Sequence, residues 1–324
     1  MGAPDITSGA PTVVVTSAKA GIVKLKAGTA ARINGILMFL PYFVLLVMFA
    51  IIPIVVAFNV SIGPSRLSPD GGLGNYLFVL QDFRFLPAVI NVGLFLAIYL
   101  PAMLIVVAGL SLLLDTVNMK YTVPIRLAYL VPAGITGSVA ILVWYFMLEP
   151  SYSPFAALFA EVGWTEGTDI FNTSNLVWIF ALMAFFTGAG NWIVIQYGSL
   201  QSIPDDVLEA ARVDGANAFQ MAFQIKLPLI RKYLVYMLIL VFAAGLQIFV
   251  EPFLISSSVY PGLAKDWSLN QLSYTLAFTG GNLGAATALS MMLMFVMITL
   301  ALITIYRTDF FDEAVVRAKK GEAK

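Results

Sequence analysis

Residues 209–228 read EAARVDGANAFQMAFQIKLP, and their side chains suit contact with a partner rather than bond-making. Glu209 and Arg212 offer ionic contacts, while Ala210, Ala211 and Ala216 are small enough to let another surface come close. Just upstream, Ser202-Ile203-Pro204-Asp205-Asp206 reads as a helix start, with an early proline and two carboxylates against the positive end of the helix dipole. Gly215 follows Asp214 where that helix needs a stop with positive φ, and Asn217 can cap a second short helix over 218–224. Pro228 then closes the unit, with Ile225 and Leu227 as its last apolar positions. Phe219, Met221 and Phe223 add apolar knobs that nothing in so short a segment buries. Two roles fit a helix, a bend and a second helix of this kind. It can insert into a groove on a partner, or it can lie as an amphipathic connector on lipid headgroups.

A second set of polar groups falls inside long apolar runs: Asn191, Trp192, Gln196 and Tyr197 in one, Gln247 and Glu251 in another. Gln247 and Glu251 are four apart, one turn on one helix face. Polar groups in a membrane interior are expensive and therefore functional candidates. Amides, a carboxylate and aromatic rings around a cavity suit a polyhydroxylated solute, whose hydroxyls hydrogen-bond and whose C–H faces stack on rings. The same residues also suit bridges between helices or interfacial anchors. Glu251 faces outer water if Pro252 ends its helix, and Trp144-Tyr145 fits an aromatic belt. Arg and Lys do not cluster within the apolar runs, which tilts the solute toward a neutral one.

Several chemistries are excluded. The chain has no Cys and no His, so imidazole bases, thiolates and the usual transition-metal ligands are missing. No catalytic constellation and no metal site are expected. It also lacks a GxxxxGK[ST] loop, so any ATP used must bind to another chain. Its 18 basic and 18 acidic residues balance, and nothing calls for nucleic acid.

The elements that must hold these groups are membrane spans. Of 324 residues 60% are hydrophobic and 11% charged, against about 25% charged in a soluble domain. Runs long enough to cross about 30 Å of hydrocarbon lie at 33–58, 88–114, 125–148, 175–200, 233–255 and 283–306. The expectation is an all-α membrane protein of six spans, with breaks at Pro101, at Pro132 and Gly134, and at Gly188, Gly190 and Asn191. The first span holds Pro41 and Pro53, and the fifth ends at Glu251-Pro252. Residues 1–32 read as a flexible tail whose GIVKLKAG segment can rest on the membrane surface, and 307–324 as a second tail. Lys and Arg concentrate in the N-terminal tail, the 115–126 turn, the 201–232 segment and the C-terminal tail. The alternate loops hold only Arg66, Arg84 and Lys265. Both termini and the 201–232 loop are therefore predicted to face the cytoplasm.

The motif Glu209-Ala210-Ala211, Asp214-Gly215-Ala216, Ile225, Leu227, Pro228 resembles the EAA loop, EAAxxDGAx8IxLP, of permease subunits in binding-protein-dependent ABC importers. At average residue frequencies these positions would coincide by chance in such a chain on the order of once in 10⁸. LQSIPDDVLEAA and Gly74-Asn75-Tyr76 resemble the carbohydrate-type branch, which includes glycerol phosphate permeases. The resemblance implies a type I importer permease fold in a bacterial cytoplasmic (inner) membrane. It implies a second permease, two ATPase subunits that bind ATP and Mg, and an extracytoplasmic substrate-binding protein as partners. It also implies that the loop forms a coupling helix in an ATPase cleft, with Glu209 paired to a basic residue there and Gly215 as the bend. In sugar-importing relatives the solute site is built from the fourth and fifth spans, near Gln247. One departure is that FLISSSVYPGLAKDWSLNQLSYTLAFTGGN replaces the Thr-x-Gly-Gly-Pro-like turn common after the fifth span. A self-sufficient secondary transporter fits less well, because ionisable groups inside the spans are nearly absent and no proton or sodium relay is visible.

Overall fold

A computed structural model describes residues 37–307 apart from 66, 67, 70, 136 and 260–262. The tails expected at 1–32 and 307–324, with the GIVKLKAG segment, lie outside those residues save for Arg307 at the end of the last helix. The described residues are helical and form no strand beyond an isolated bridge between Ser65 and Ser68. The chain divides into two units at Ala57.

The first helix, α1, runs Leu37–Ile62. Its N-terminal part, in the first unit, holds a small aromatic cluster in which Phe39 meets Tyr42 and Phe43 at 6.0 and 5.7 Å between ring centroids. A π-type turn at Val47–Ile51 precedes Pro53. The wider turn relieves the clash of the proline ring with the carbonyl one turn back, so the helix continues through Pro53.

In the second unit, α2 (Gly74–Gln81) leads into α3 (Phe85–Thr116), α4 (Met119–Gly134) and α5 (Gly137–Leu148). Short helices α6 (Ala156–Glu161) and α7 (Gly167–Ile170) precede α8 (Leu176–Leu200). Then come α9 (Asp205–Val213), α10 (218–246), α11 (Val250–Leu254), α12 (Leu269–Tyr274) and α13 (Leu283–Arg307). Five helices are long and apolar enough to span a membrane, and the bent pair α4 and α5 brings the number to six if it is one span. The two meet at 96°, after Pro132 and Gly134 and at Gly137, whose φ is +64°. The break expected in the third span is therefore present.

The other expected breaks are not. α3 passes through Pro101 and α8 through Gly188, Gly190 and Asn191 without interruption. The glycines are there for close approach instead. A Cβ on Gly190 would stand 1.9 Å from the Tyr129 carbonyl oxygen of α4, and one on Gly188 would stand 3.2 Å from Tyr99 Oη of α3. Lipid is as apolar as a leucine side chain, so helices inside it associate by close packing, and small residues at the contact permit it. The core joins α3, α8 and α10 around Phe95, Met103, Phe180 and Met237, with Trp267 edge-on to Phe180 at 4.7 Å.

The fifth span also departs from expectation. The second loop helix does not end at Pro228 but runs on as α10, through a π-type turn at Met221–Lys226 that again sits just before the proline. At the far end α10 stops at Leu246, and Phe249 adopts φ −145° before α11 begins. Gln247 and Glu251 therefore do not share a helix face. Pro252 starts a helix rather than ending one, in a first turn where its missing N–H is not needed. Asn75 is fully buried, its Nδ2 donating to the carbonyls of Ser61 and Gly63 at 3.0 Å each, which fixes the turn that leads into α2.

Candidate functional site

The quoted loop is built as its residues dictate. Pro204, with φ −60° and ψ 137°, precedes α9, and Asp205 and Asp206 occupy the first turn. At the other end Gly215 has φ +83°. Its N–H donates to the Arg212 carbonyl at 3.1 Å, and that of Ala216 to the Ala211 carbonyl at 3.0 Å. This pair of bonds is a Schellman stop, which satisfies carbonyls the helix would otherwise strand. Asn217 and Gln220 then cap each other, side chain to backbone, at 2.9 Å in both directions. The helix, bend and second helix follow the sequence reading, except that the second helix is the root of a span.

Glu209, Ala210, Arg212, Asp214 and Gly215 are exposed, whereas Ala211 and Ala216 are half-buried. Neither Glu209 nor Arg212 forms a salt bridge among the described residues. Phe219 and Phe223 stack at 4.4 Å and stay 65% and 52% exposed, a paired apolar knob. Met221, expected beside them, is only 9% exposed, because the helix turns it toward α3. Ile225 and Leu227 are half-buried and Pro228 is exposed.

The intramembrane candidates separate. Gln196 is fully buried and donates from Nε2 to the Tyr233 carbonyl at 3.1 Å, a bridge between α8 and α10. Tyr197 is buried under the Arg126 guanidinium, 5.6 Å from its ring centroid. Trp192 packs edge-on to Tyr236 at 6.5 Å, and Asn191 is exposed. Gln247 is exposed, its Nε2 3.2 Å from both the Ala243 carbonyl and Met297 Sδ. Its own carbonyl accepts from Asn270 at 2.9 Å, which holds the interrupted helix end.

Glu251 alone of the six lines the cavities described between the spans. One, about 290 Å³, is walled by Ile141 and Trp144 of α5, Met183 and Thr187 of α8, and Val250. The other, about 210 Å³, is walled by Phe95 and Tyr99 of α3, Thr187 and Gly188 of α8, and Gly245 of α10. Glu251 and Thr187 border both. Trp144, which the sequence fits to an aromatic belt, lines the first of these cavities and contacts Phe186 at 5.4 Å between ring centroids. Sequence reasoning passed over Tyr99 and Thr187, since a lone Tyr or Thr within an apolar run carries no spacing signal. Outside the spans, Arg84 donates from Nε and Nη2 to Asp82 at 2.9 and 2.7 Å. That hydrogen bond holds the Asp82 carboxyl below its ordinary pKa.

A bundle of apolar helices long enough to span a membrane, with mostly apolar cavities between them that carry the Glu251 carboxyl and the Thr187 hydroxyl, and a capped exposed helix between two of the spans, suits a membrane transport component. The chain belongs to the family of binding-protein-dependent transport system inner membrane components, which matches residues 117–317, more than half of its length. It is therefore a multi-pass inner-membrane permease subunit with the all-α ABC importer permease fold. A probable ABC transporter permease protein, YurN, of Bacillus subtilis is 27% identical over 74% of this chain and 83% of its own length. The sulfoquinovosyl glycerol transport system permease protein SmoG of Agrobacterium fabrum is 27% identical over 86% and 91%. The sn-glycerol-3-phosphate transport system permease protein UgpA of Shigella flexneri is 28% identical over 54% and 58%. A chain from the crystal structure of a bacterial ABC transporter involved in import of the acidic polysaccharide alginate superposes with a TM-score of 0.72. It is 18% identical, covering 88% of this chain and 98% of that one.

Proposed function

We propose that this permease forms the path for a neutral sugar or sugar-like solute delivered by an extracytoplasmic binding protein, and is driven through the 201–232 loop by a separate ATPase. The exposed helix and Gly215 bend, carrying Glu209, Arg212 and the Phe219–Phe223 knob, support the coupling reading. An exposed polar helix before the bend and an exposed, stacked aromatic pair after it offer ionic and apolar contacts together, the combination that a groove in a soluble partner takes up. Two ATPase subunits, holding ATP and Mg, and a second permease complete the assembly. Both termini face the cytoplasm by the distribution of Lys and Arg.

The cavity chemistry favours a neutral solute. Its walls present Tyr99, Thr187, Trp144 and the Glu251 carboxylate, with no Arg or Lys among the lining residues. The carboxyl, hydroxyl and phenol groups can exchange hydrogen bonds with a solute's hydroxyls, and no lining cation is there to pair with phosphate or sulfonate. SmoG and UgpA are named for anionic solutes, and this cavity differs from what such cargo calls for. Uptake into proteoliposomes holding the complete importer, with neutral oligosaccharides set against glycerol 3-phosphate, tests the reading. Neutral saccharide should be taken up, and Glu251→Gln should weaken uptake without loss of assembly. ATP-dependent uptake of glycerol 3-phosphate alone would refute the substrate class, and uptake without any ATPase would refute the importer reading.

A further inference from the structure

The root of the cytoplasmic loop closes on one carboxylate. Asp115, in the last turn of α3, accepts a hydrogen bond at Oδ1 from Gln201 Nε2 at 2.6 Å and pairs through Oδ2 with Lys226 Nζ. Gln201 caps α8, and Lys226 ends the π-type turn of α10. The chain therefore leaves the bundle and re-enters it at the same anion, and α9 with its bend lies between the two attachments. Asp115 is 86 residues from Gln201 and 111 from Lys226, so nothing local in the chain accounts for the meeting.

The position of the acid argues against an incidental ion pair. A carboxylate in the last turn of a helix faces the negative end of the dipole and is disfavoured there. The Asp115 and Lys226 side chains are also only 8% and 14% exposed, so removing either partner strands a charge with little water to solvate it. Met221 and Ala222 of the π-type turn border a groove of about 380 Å³ with Leu112, Leu113 and Thr116 of α3 beside the pair. That groove leaves the apolar contact between α3 and the loop root incomplete, and the polar clamp is what joins them. From Asp115, α3 runs unbroken to Tyr99 and Phe95 at the cavity wall. At 1.5 Å per residue that is about 24 Å to Tyr99.

We propose that Asp115 is a positioning residue that makes α3 move with the coupling loop. A displacement of α9 reaches α3 through the Gln201–Asp115–Lys226 clamp, and α3 carries it to the Tyr99 and Phe95 wall of the cavity. This rests on the coupling role of the loop, and the test separates the two.

The chain has no cysteine, so spin labels can be placed on introduced cysteines without background from this subunit. In the complete importer, one label at exposed Val213 reports α9 and one at exposed Leu94 reports the outer part of α3, each read against a reference label at Tyr152. Distances are measured without nucleotide and with Mg-ATP plus vanadate. In the unsubstituted background both distances should shift. With Asp115→Asn or Lys226→Met the Val213 shift should persist and the Leu94 shift should be lost. The exchange Asp115→Lys with Lys226→Asp should restore it, since the Gln201 amide can turn its oxygen toward the cation. An unchanged Leu94 shift in both single variants overturns the proposal. So does failure of the exchanged pair to restore the shift, or loss of assembly in all three, which would make the clamp a folding contact only. A chain that brings down no ATPase before any variant is compared overturns the coupling reading itself.

Discussion

Substituting Gly215 separates the conformation of the bend from its surroundings. The residue sits at φ +83°, and a Cβ built there meets nothing within 4 Å, so Gly215→Ala introduces no clash. Its cost is purely that of holding an L-residue in the left-handed region, about 1–2 kcal/mol. At 1.4 kcal/mol per factor of ten, that lowers the population of the bent loop by roughly 5–30-fold. Asn visits this region more readily, because its short polar side chain can bond locally, so Gly215→Asn should lose less. Proline, fixed near φ −65°, cannot reach the bend and also removes the N–H that donates to the Arg212 carbonyl. The assay is solute uptake and ATPase co-purification for the reconstituted importer, with membrane insertion followed separately. Uptake should fall in the order Gly, Asn, Ala, Pro while insertion stays intact, because the spans do not depend on the bend. An Ala variant that transports as well as the Asn variant, or a Pro variant with normal uptake, would show that the Schellman stop is dispensable and the coupling argument misplaced.

Gly190→Ala should lower the melting temperature in detergent, because its Cβ would stand 1.9 Å from a backbone oxygen that cannot rotate away. Overpacking of this kind costs about 1–3 kcal/mol or more. Gly198→Ala, which meets nothing within 4 Å, is the control, and equal melting of the two variants would rule out close approach as the reason for Gly190. Asp82 carries a depressed pKa, so its contribution is present above the ordinary carboxylate value and lost as pH falls through the folded value. The melting difference between the native chain and Asp82→Asn should therefore hold steady above about pH 5 and shrink at lower pH. A difference that persists unchanged into strong acid would exclude the Arg84 pairing as its source.

The helix start at Pro204, the Gly215 stop and the Asn217 cap were legible because each is a local rule, satisfied within four residues of itself. The resemblance carried by Glu209-Ala210-Ala211 and Asp214-Gly215-Ala216 rests on the same local segment. What misled was the use of local rules for contacts between helices. Gly188 and Gly190 look like breaks beside Pro132 and Gly134, yet only the latter pair ends a helix. In lipid a glycine's lack of a side chain serves two ends, a turn the backbone must make or a neighbour it must admit, and a single chain segment states neither. The four-residue spacing of Gln247 and Glu251 failed for a related reason. The spacing has meaning only inside an unbroken helix, and Asn270, 23 residues away, holds the Gln247 carbonyl where the break occurs. Asp115 is the extreme case, for its partners lie in two other elements and its own position defies the dipole rule. A charge placed against its local preference is the one sequence sign that a distant partner must exist. By that sign Asp115 could have been singled out before its clamp was seen, though neither Gln201 nor Lys226 could have been named.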